Sequence, residues 1–379
     1  MLIRNAMVFN DEGTFKENDI HIKDDIIEYI GTFNGTDENV IDATGLYAIP
    51  GLIDIHFHGA IGHDLCDADS NGLKEILDYE LSQGIMAVCP ATMTAPEEKL
   101  SKIIDTALLS KNYRDGADLV GLNLEGPFIN PKKAAAQNSE YIISGDAKLL
   151  RRLIDRGQGL IKLVDVAPEI SENMCLIDTF KDEVSFSLAH TFADYDISKE
   201  AFCHGAKQLT HMFNAMNDIT HRAPGPVLAA LEAEAYVELI ADGIHNHDAI
   251  IRMVFKLFDE SKIILISDSM MATGFEDGLY TLGGQDVLVR GHECRLANHL
   301  ETLAGSNTTL FDCLKHAVLF AGIPIEKAIF AASRNPARAI LIDDKYGSIR
   351  KGCYGNIILM DDDFNIKFII KNGMTIKSS

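Results

Sequence analysis

Two histidines stand two residues apart in the segment Pro50 to Gly59 (PGLIDIHFHG), where His56 and His58 close an apolar run. On an extended chain residues i and i+2 point to one side, so both imidazoles can address one ion. Five further polar residues stand in comparable places, each just beyond a strand-like run: Glu125 in LEGPF, His190, His211, His245 in ADGIH, and Asp268 in SDSM. Imidazole with carboxylate suits zinc, iron or a similar divalent cation, with positions left open for water and substrate. Singly, each has an ordinary explanation. A histidine after a strand is commonly a loop or core residue, Glu125 fits a solvated turn, and Asp268 fits a helix cap. Their recurrence at the same end of different runs points to a metal site.

The elements that must position these groups are legible in the apolar pattern. Strands are expected at Leu52–Ile55, Ile85–Cys89, Leu119–Leu124, Ile161–Val166, Val184–Ala189, Gln208–Thr210, Tyr236–Ile240 and Ile263–Ile266. Amphipathic stretches at Leu73–Gln83, Glu97–Lys111, Ala147–Arg156, Val227–Ala233 and Ala249–Phe258 alternate with them. Runs as apolar as Ile263–Ile266 suit parallel strands buried on both faces. The pattern predicts an α/β protein, a (β/α)8 TIM barrel over 51–344, whose strand C-termini bring the polar residues to one mouth. A doubly wound open sheet is the competing reading, but it would not bring the ends of its first and last strands together.

Short strand-like segments flank this core: Leu2–Phe9, Asp19–Lys23, Ile26–Ile30 and Tyr47–Ile49 before it, and Gly347-Ser348-Ile349, Asn356–Met360 and Ile366–Ile370 after it. They predict a small β-sandwich built from both termini, 1–50 plus 345–379. The glycine-rich stretch from Phe275 to His299 reads as a hairpin insertion after the eighth strand, a candidate lid.

Composition narrows the partners. The 379 residues carry 34 Lys+Arg against 56 Asp+Glu, a formal charge of −22, which disfavours nucleic acid or an anionic membrane. No apolar run is long enough to span a bilayer, and no basic-then-apolar signal segment opens the chain. Seven cysteines, an odd number without a CxxC spacing, argue for reduced thiols and a cytoplasmic setting.

Together these segments resemble the N-acetylglucosamine-6-phosphate deacetylases of the amidohydrolase superfamily. PGLIDIHFHG alone identifies only the superfamily; THMFNAM (210–216), HRAPG (221–225) and ADGIH (241–245) together are more specific, and AGSNTTL (304–310) and NPAR (335–338) extend the match towards the C-terminus. The resemblance implies that Glu125, His190 and His211 hold a catalytic metal, with His56 and His58 at a second site and Glu125 bridging, one or two zinc or iron ions per subunit. It implies that Asp268 takes a proton from water and returns it to the leaving amine. Asn214, Ala215 through its backbone, and His245 are implied as sugar and phosphate contacts. His221 and Arg222 fall in the phosphate-binding segment, which in this family can be supplied by the partner subunit of a homodimer. The implied partner is a small amino-sugar phosphate.

Two positions depart from the pattern. Where some members have a histidine that polarises the acetyl carbonyl, this chain has Gln137, which can donate a hydrogen bond but carries no positive charge. A glycine is usual near Ala135, and alanine is penalised at positive φ where glycine is not. Three alternatives stand beside the main reading: action on the galactosamine epimer, another amidohydrolase such as a dihydroorotase or nucleobase deaminase, and a catalytically inactive barrel used for binding. Against the second stands the lack of a lysine at the end of the fourth strand, Lys162 lying early in it. Against the third stands the full set of ligands.

Overall fold

A computed structural model describes residues 1–378. Its centre is a TIM-barrel-type α/β arrangement. Eight successive parallel strand positions run in chain order: Leu52–Asp54, Ile85–Val88, a third over 118–125, Ile161–Val166, Ser185–Leu188, Gln208–Leu209, Tyr236–Ile240 and Ile263–Ile266. Each pairs with its sequence neighbours. Ile263–Ile266 is buried along its length and Ile161–Val166 at every residue but Lys162, as β-branched runs covered on both faces require.

The third position differs from the single strand expected over Leu119–Leu124. It is two short strands, Asp118–Leu119 paired to Ile85–Val88 and Leu122–Glu125 paired to Ile161–Val166. Gly121 lies between them, where a Cβ would come within 2.5 Å of Lys162 and 2.8 Å of Cys89. The segment changes partners there, and only a residue without a side chain fits the crossing.

Helices start where side chains cap their free N–H groups. Asp69 caps Ser70–Ser82, Asp146 caps Ala147–Gly157 and Asp194 caps Tyr195–His204, while Thr309 and Asp312 form a reciprocal capping box on Leu310–Leu319. The Asn173–Phe180, Tyr195–His204, Leu310–Leu319, Ile325–Ala332 and Arg334–Ala339 helices were not anticipated from the apolar pattern.

Both ends of the chain join one eight-stranded sheet. Ile357–Met360 pairs antiparallel with Tyr47–Pro50, which pairs parallel with Leu2–Phe9. Buried Lys371 ties this sheet to the barrel through Asp118, 2.8 Å away. The strand expected at Gly347-Ser348-Ile349 is absent: Gly347 adopts φ 80 against Ser333 and Ala337, and the chain bends there. The insertion is larger than a hairpin. Gly278–Leu282, Gln285–Arg290, Glu293–Leu296 and His299–Leu303 form a four-stranded antiparallel sheet.

Candidate active site

His56, His58, Glu125, His190, His211 and Asp268 meet at the strand C-termini, all buried. Three of the imidazoles are oriented from behind by an acceptor. His58 Nδ1 lies 3.2 Å from the Ala91 carbonyl, His190 Nδ1 2.8 Å from the Lys133 carbonyl, and His56 Nδ1 3.0 Å from Glu238 Oε2. A carbonyl or carboxylate only accepts, so each Nδ1 carries the proton and donates it. The Nε2 atoms are thereby turned inward onto two carboxylates.

The inward distances are short. Glu125 Oε1 lies 2.9 Å from His190 Nε2, 3.2 Å from His211 Nε2 and 3.6 Å from His56 Nε2. Glu125 Oε2 lies 3.5 Å from His58 Nε2, which also stands 3.2 Å from Asp268 Oδ1. Two overlapping groups have ligand atoms close enough to share an ion, His56–Glu125–His211 and His56–His58–Asp268. The donor set fits a divalent cation: His56 Nε2 and Glu125 Oε2, on side chains that face one another across the cage, are both buried without a hydrogen-bond partner.

Electrostatics agree. Burial works against charge on His56, His58, Glu125 and Asp268. Even so, the His56 charge with bonds from His190 and His211 holds Glu125 well below the usual carboxylate range. Burial likewise opposes charge on Asp268, yet its bond to His58 and the charge of His56 keep it below its ordinary value. Glu238 and Glu125 together raise His56 well above the ordinary histidine value despite its burial. The cage is arranged to hold positive charge against anionic oxygens.

The backbone bends sharply to present these groups. His190 (φ 44), His211 (φ 26), Phe213 (φ 78), Ala215 (φ 51) and Asp268 (φ 50) all occupy left-handed conformations. Such conformations cost of order 1–3 kcal/mol for non-glycine residues and gather at functional sites. Ala135 belongs with them at φ 49, in the conformation for which glycine is better suited.

A cavity of about 290 Å³ opens over the cage. His58, Glu125, His190, His211, Asp268, Gln137, Asn214, Ala215 and His245 line it; His56 lies wholly buried behind them. His221 and Arg222 are not among the residues that line this cavity. They stand on an exposed loop, and among the described residues neither side chain makes a hydrogen bond or ion pair.

Gln137 is held firmly. Its Oε1 accepts from the Thr94 N–H at 2.6 Å, which fixes the amide orientation and leaves Nε2 with only a weak contact to Met93 sulfur. The insertion braces this loop, since Gln285 donates to the Ala136 carbonyl at 2.6 Å and the 301–305 segment supplies a cavity wall. Sequence reasoning missed Glu238, Asp242, Gln285 and the Lys133 carbonyl. Asp242 alone had a local signal, three residues before His245 in ADGIH.

The model of the amidohydrolase family matches residues 47–376. The chain belongs to the amidohydrolase family. Among its relatives, a Bacillus subtilis protein named N-acetylglucosamine-6-phosphate deacetylase is 33% identical, over 98% of this chain and 96% of its own. An Escherichia coli O157:H7 relative, named N-acetylgalactosamine-6-phosphate deacetylase, is 30% identical over 97% of each. The amidohydrolase architecture also superposes on a mutant N-acetyl-D-glucosamine-6-phosphate deacetylase from Mycobacterium smegmatis in complex with N-acetyl-D-glucosamine-6-phosphate. There the TM-score is 0.92 at 27% identity, covering 100% of this chain and 99% of that one.

Proposed function

We propose that the protein hydrolyses the acetamide of N-acetyl-D-glucosamine 6-phosphate, giving D-glucosamine 6-phosphate and acetate in amino-sugar catabolism. The observation that carries this reading is the cage of Glu125, His190, His211, His56 and His58 with Asp268 at its edge, opening into one cavity with the Gln137 amide on its wall. Relatives of this name aligned along nearly the whole chain support it.

An amide is a poor electrophile with a poor leaving group. Glu125, His190, His211, His56 and His58 would hold one or two zinc or iron ions, which when bound would supply Lewis acidity and lower the pKa of water towards neutrality. The remaining work falls to side chains. Asp268, kept ionised, accepts the proton of the attacking water at Oδ1 and returns it to the sugar nitrogen as the C–N bond breaks. Gln137 Nε2 donates to the carbonyl oxygen as negative charge gathers there. Asn214, whose Nδ2 is occupied by the His211 and Met212 carbonyls, offers Oδ1 to the sugar; Ala215 contributes backbone, and His245 faces the phosphate. His221 and Arg222, exposed here, reach the phosphate of the neighbouring subunit in a homodimer.

The architecture completes this reading. We infer that the barrel closes, because Asp268 N–H donates to the His56 carbonyl at 2.9 Å and His58 N–H to the Ser269 carbonyl at 2.7 Å, joining the ends of the last and first strands. We further propose that residues 51–344 form this barrel domain and 1–50 with 345–378 a small sandwich; what supports it is that both ends share one eight-stranded sheet and that Ile3, Val8, Ile20, Ile357 and Leu359 belong to a buried cluster of their own. The described chain has no helix long and apolar enough to cross a membrane, and its cysteines are free, which supports a cytoplasmic setting.

The E. coli relative favours one second reading, the galactosamine epimer. Purified protein supplied with both N-acetylhexosamine 6-phosphates and with unphosphorylated N-acetylglucosamine should release acetate fastest from the gluco phosphate. Release should stop with a chelator and return with zinc or iron. Preference for the galacto phosphate would replace the substrate assignment; no release from any of them would leave only a binding barrel.

A further inference from the structure

The proposed reaction gives Glu238 no part, yet few side chains are better placed to govern it. Glu238 sits inside the Tyr236–Ile240 strand with no exposure to solvent. Its Oε2 lies 3.0 Å from His56 Nδ1 and accepts the backbone N–H of His211 at 3.2 Å; Gln208 Nε2 donates to its Oε1. One carboxylate therefore grips two candidate ligands that follow different strands, one by its ring and one by its backbone. His56 is also the residue common to both groups able to share an ion. Its Nε2 has no hydrogen-bond partner and faces Glu125 at 3.6 Å and Asp268 at 4.0 Å.

We propose that Glu238 is the positioning residue for divalent-cation binding at His56: it holds the proton on Nδ1 and presents the Nε2 lone pair to the ion. The inference rests on reading the cage as a cation site. Stitching strands together does not explain a carboxylate here. A glutamine could accept the His211 N–H and donate to Gln208 Oε1, which is buried without a partner. What a glutamine lacks is the negative charge behind the imidazole, which makes the ring a stronger ligand. Asn123 Nδ2, 3.4 Å from His56 Nδ1, is a donor and cannot take the role over.

The full-length protein, stripped by chelation, is titrated with zinc against a chromophoric competitor, and bound metal is counted. Glu238→Gln should weaken the ion at His56 by about 10-fold and Glu238→Leu by up to about 100-fold, within the range for partners of metal-bound histidines. In a His56→Asn background the same Glu238 changes should cause no further loss. Unchanged affinity in the Glu238 variants would overturn the inference, as would equal losses with and without His56, or zinc binding that His56→Asn leaves untouched. Wild-type protein that binds no zinc would instead overturn the cation reading itself. If the variants do not fold, ¹⁵N-histidine spectra of the zinc-loaded wild type decide: zinc on His56 Nε2 with the proton on Nδ1 is expected, and zinc on Nδ1 refutes the role of Glu238.

Discussion

His245 Nδ1 lies 2.7 Å from Asp242 Oδ2, with both side chains almost fully withdrawn from solvent at the wall of the cavity. Burial disfavours the charged form of His245, but the bond to Asp242 and its charge outweigh that and raise the histidine above its ordinary value. Asp242 is lowered in turn: burial opposes its charge, but the bond and charge of His245 prevail. The raised histidine contributes stability in full below about pH 6.5 and loses it as pH climbs through its higher folded value. The lowered aspartate contributes above about pH 3.9 and loses it as pH falls through its depressed value. The pair therefore stabilises the fold between those two limits.

Asp242→Asn should accordingly lower the melting temperature most inside that window and progressively less towards alkaline pH. It should also shift to lower pH the point at which KM for the phosphorylated substrate begins to rise, because His245 then loses its proton sooner. Melting curves and KM measured across pH test both parts. A KM profile that Asp242→Asn leaves in place would remove His245 from phosphate binding.

Asp268 is set for proton transfer by His58, 3.2 Å from its Oδ1. Asp268→Asn keeps the side chain's shape and an oxygen for His58 or an ion, but abolishes a base at neutral pH. Turnover should drop by about 10²–10⁴, with the melting temperature of the chelated protein little altered. Steady-state kcat beside a melting curve checks this, and near-normal turnover would sink the assignment.

For Gln137 the Thr94 N–H provides a control. Gln137→Glu keeps an acceptor for that N–H and loses the Nε2 donor; Gln137→Leu loses both. If the donor stabilises charge on the carbonyl oxygen, both variants should lose about 10²–10³ in kcat, as when an oxyanion-hole donor is removed. Only the leucine should unfold earlier, because it leaves Thr94 N–H buried without a partner. A glutamate variant that turns over normally would make Gln137 a wall residue.

Where the sequence was readable, burial made it so. Ile263–Ile266 forms where its uninterrupted apolar run places it, and Ile161–Val166 and Tyr236–Ile240 form where their mostly apolar runs do, since a strand covered on both faces can hold little else. The histidines and carboxylates beyond the strands stood out because they broke such runs at a recurring position. The split at Gly121 stayed hidden because a glycine inside an apolar run does not reveal which neighbours its backbone must approach. The outer insertion strand His299–Leu303 carries exposed residues without apolar alternation, so a hairpin was all its pattern suggested. Glu238 was invisible for a deeper reason. In YVELI a carboxylate on one face of a strand ordinarily means solvent, and only the barrel's geometry turns that face onto His56 and His211.

Arg222 supplies the most demanding prediction because it lies outside its own cavity. A guanidinium on an exposed loop without a partner contributes little to stability, so Arg222→Ala should leave the melting temperature unchanged. If the loop serves a neighbouring subunit, the variant should raise KM for the phosphorylated substrate and leave KM for unphosphorylated N-acetylglucosamine alone. Mixing then separates a loop acting across subunits from one folding back onto its own site. When Asp268→Asn and Arg222→Ala subunits are denatured and refolded together, a hybrid dimer regains one complete site: intact Asp268 in one subunit meets intact Arg222 from the other. Activity at low substrate should exceed the sum of the two parents refolded separately. Activity no greater than that sum would mean that Arg222 acts only within its own chain or not at all.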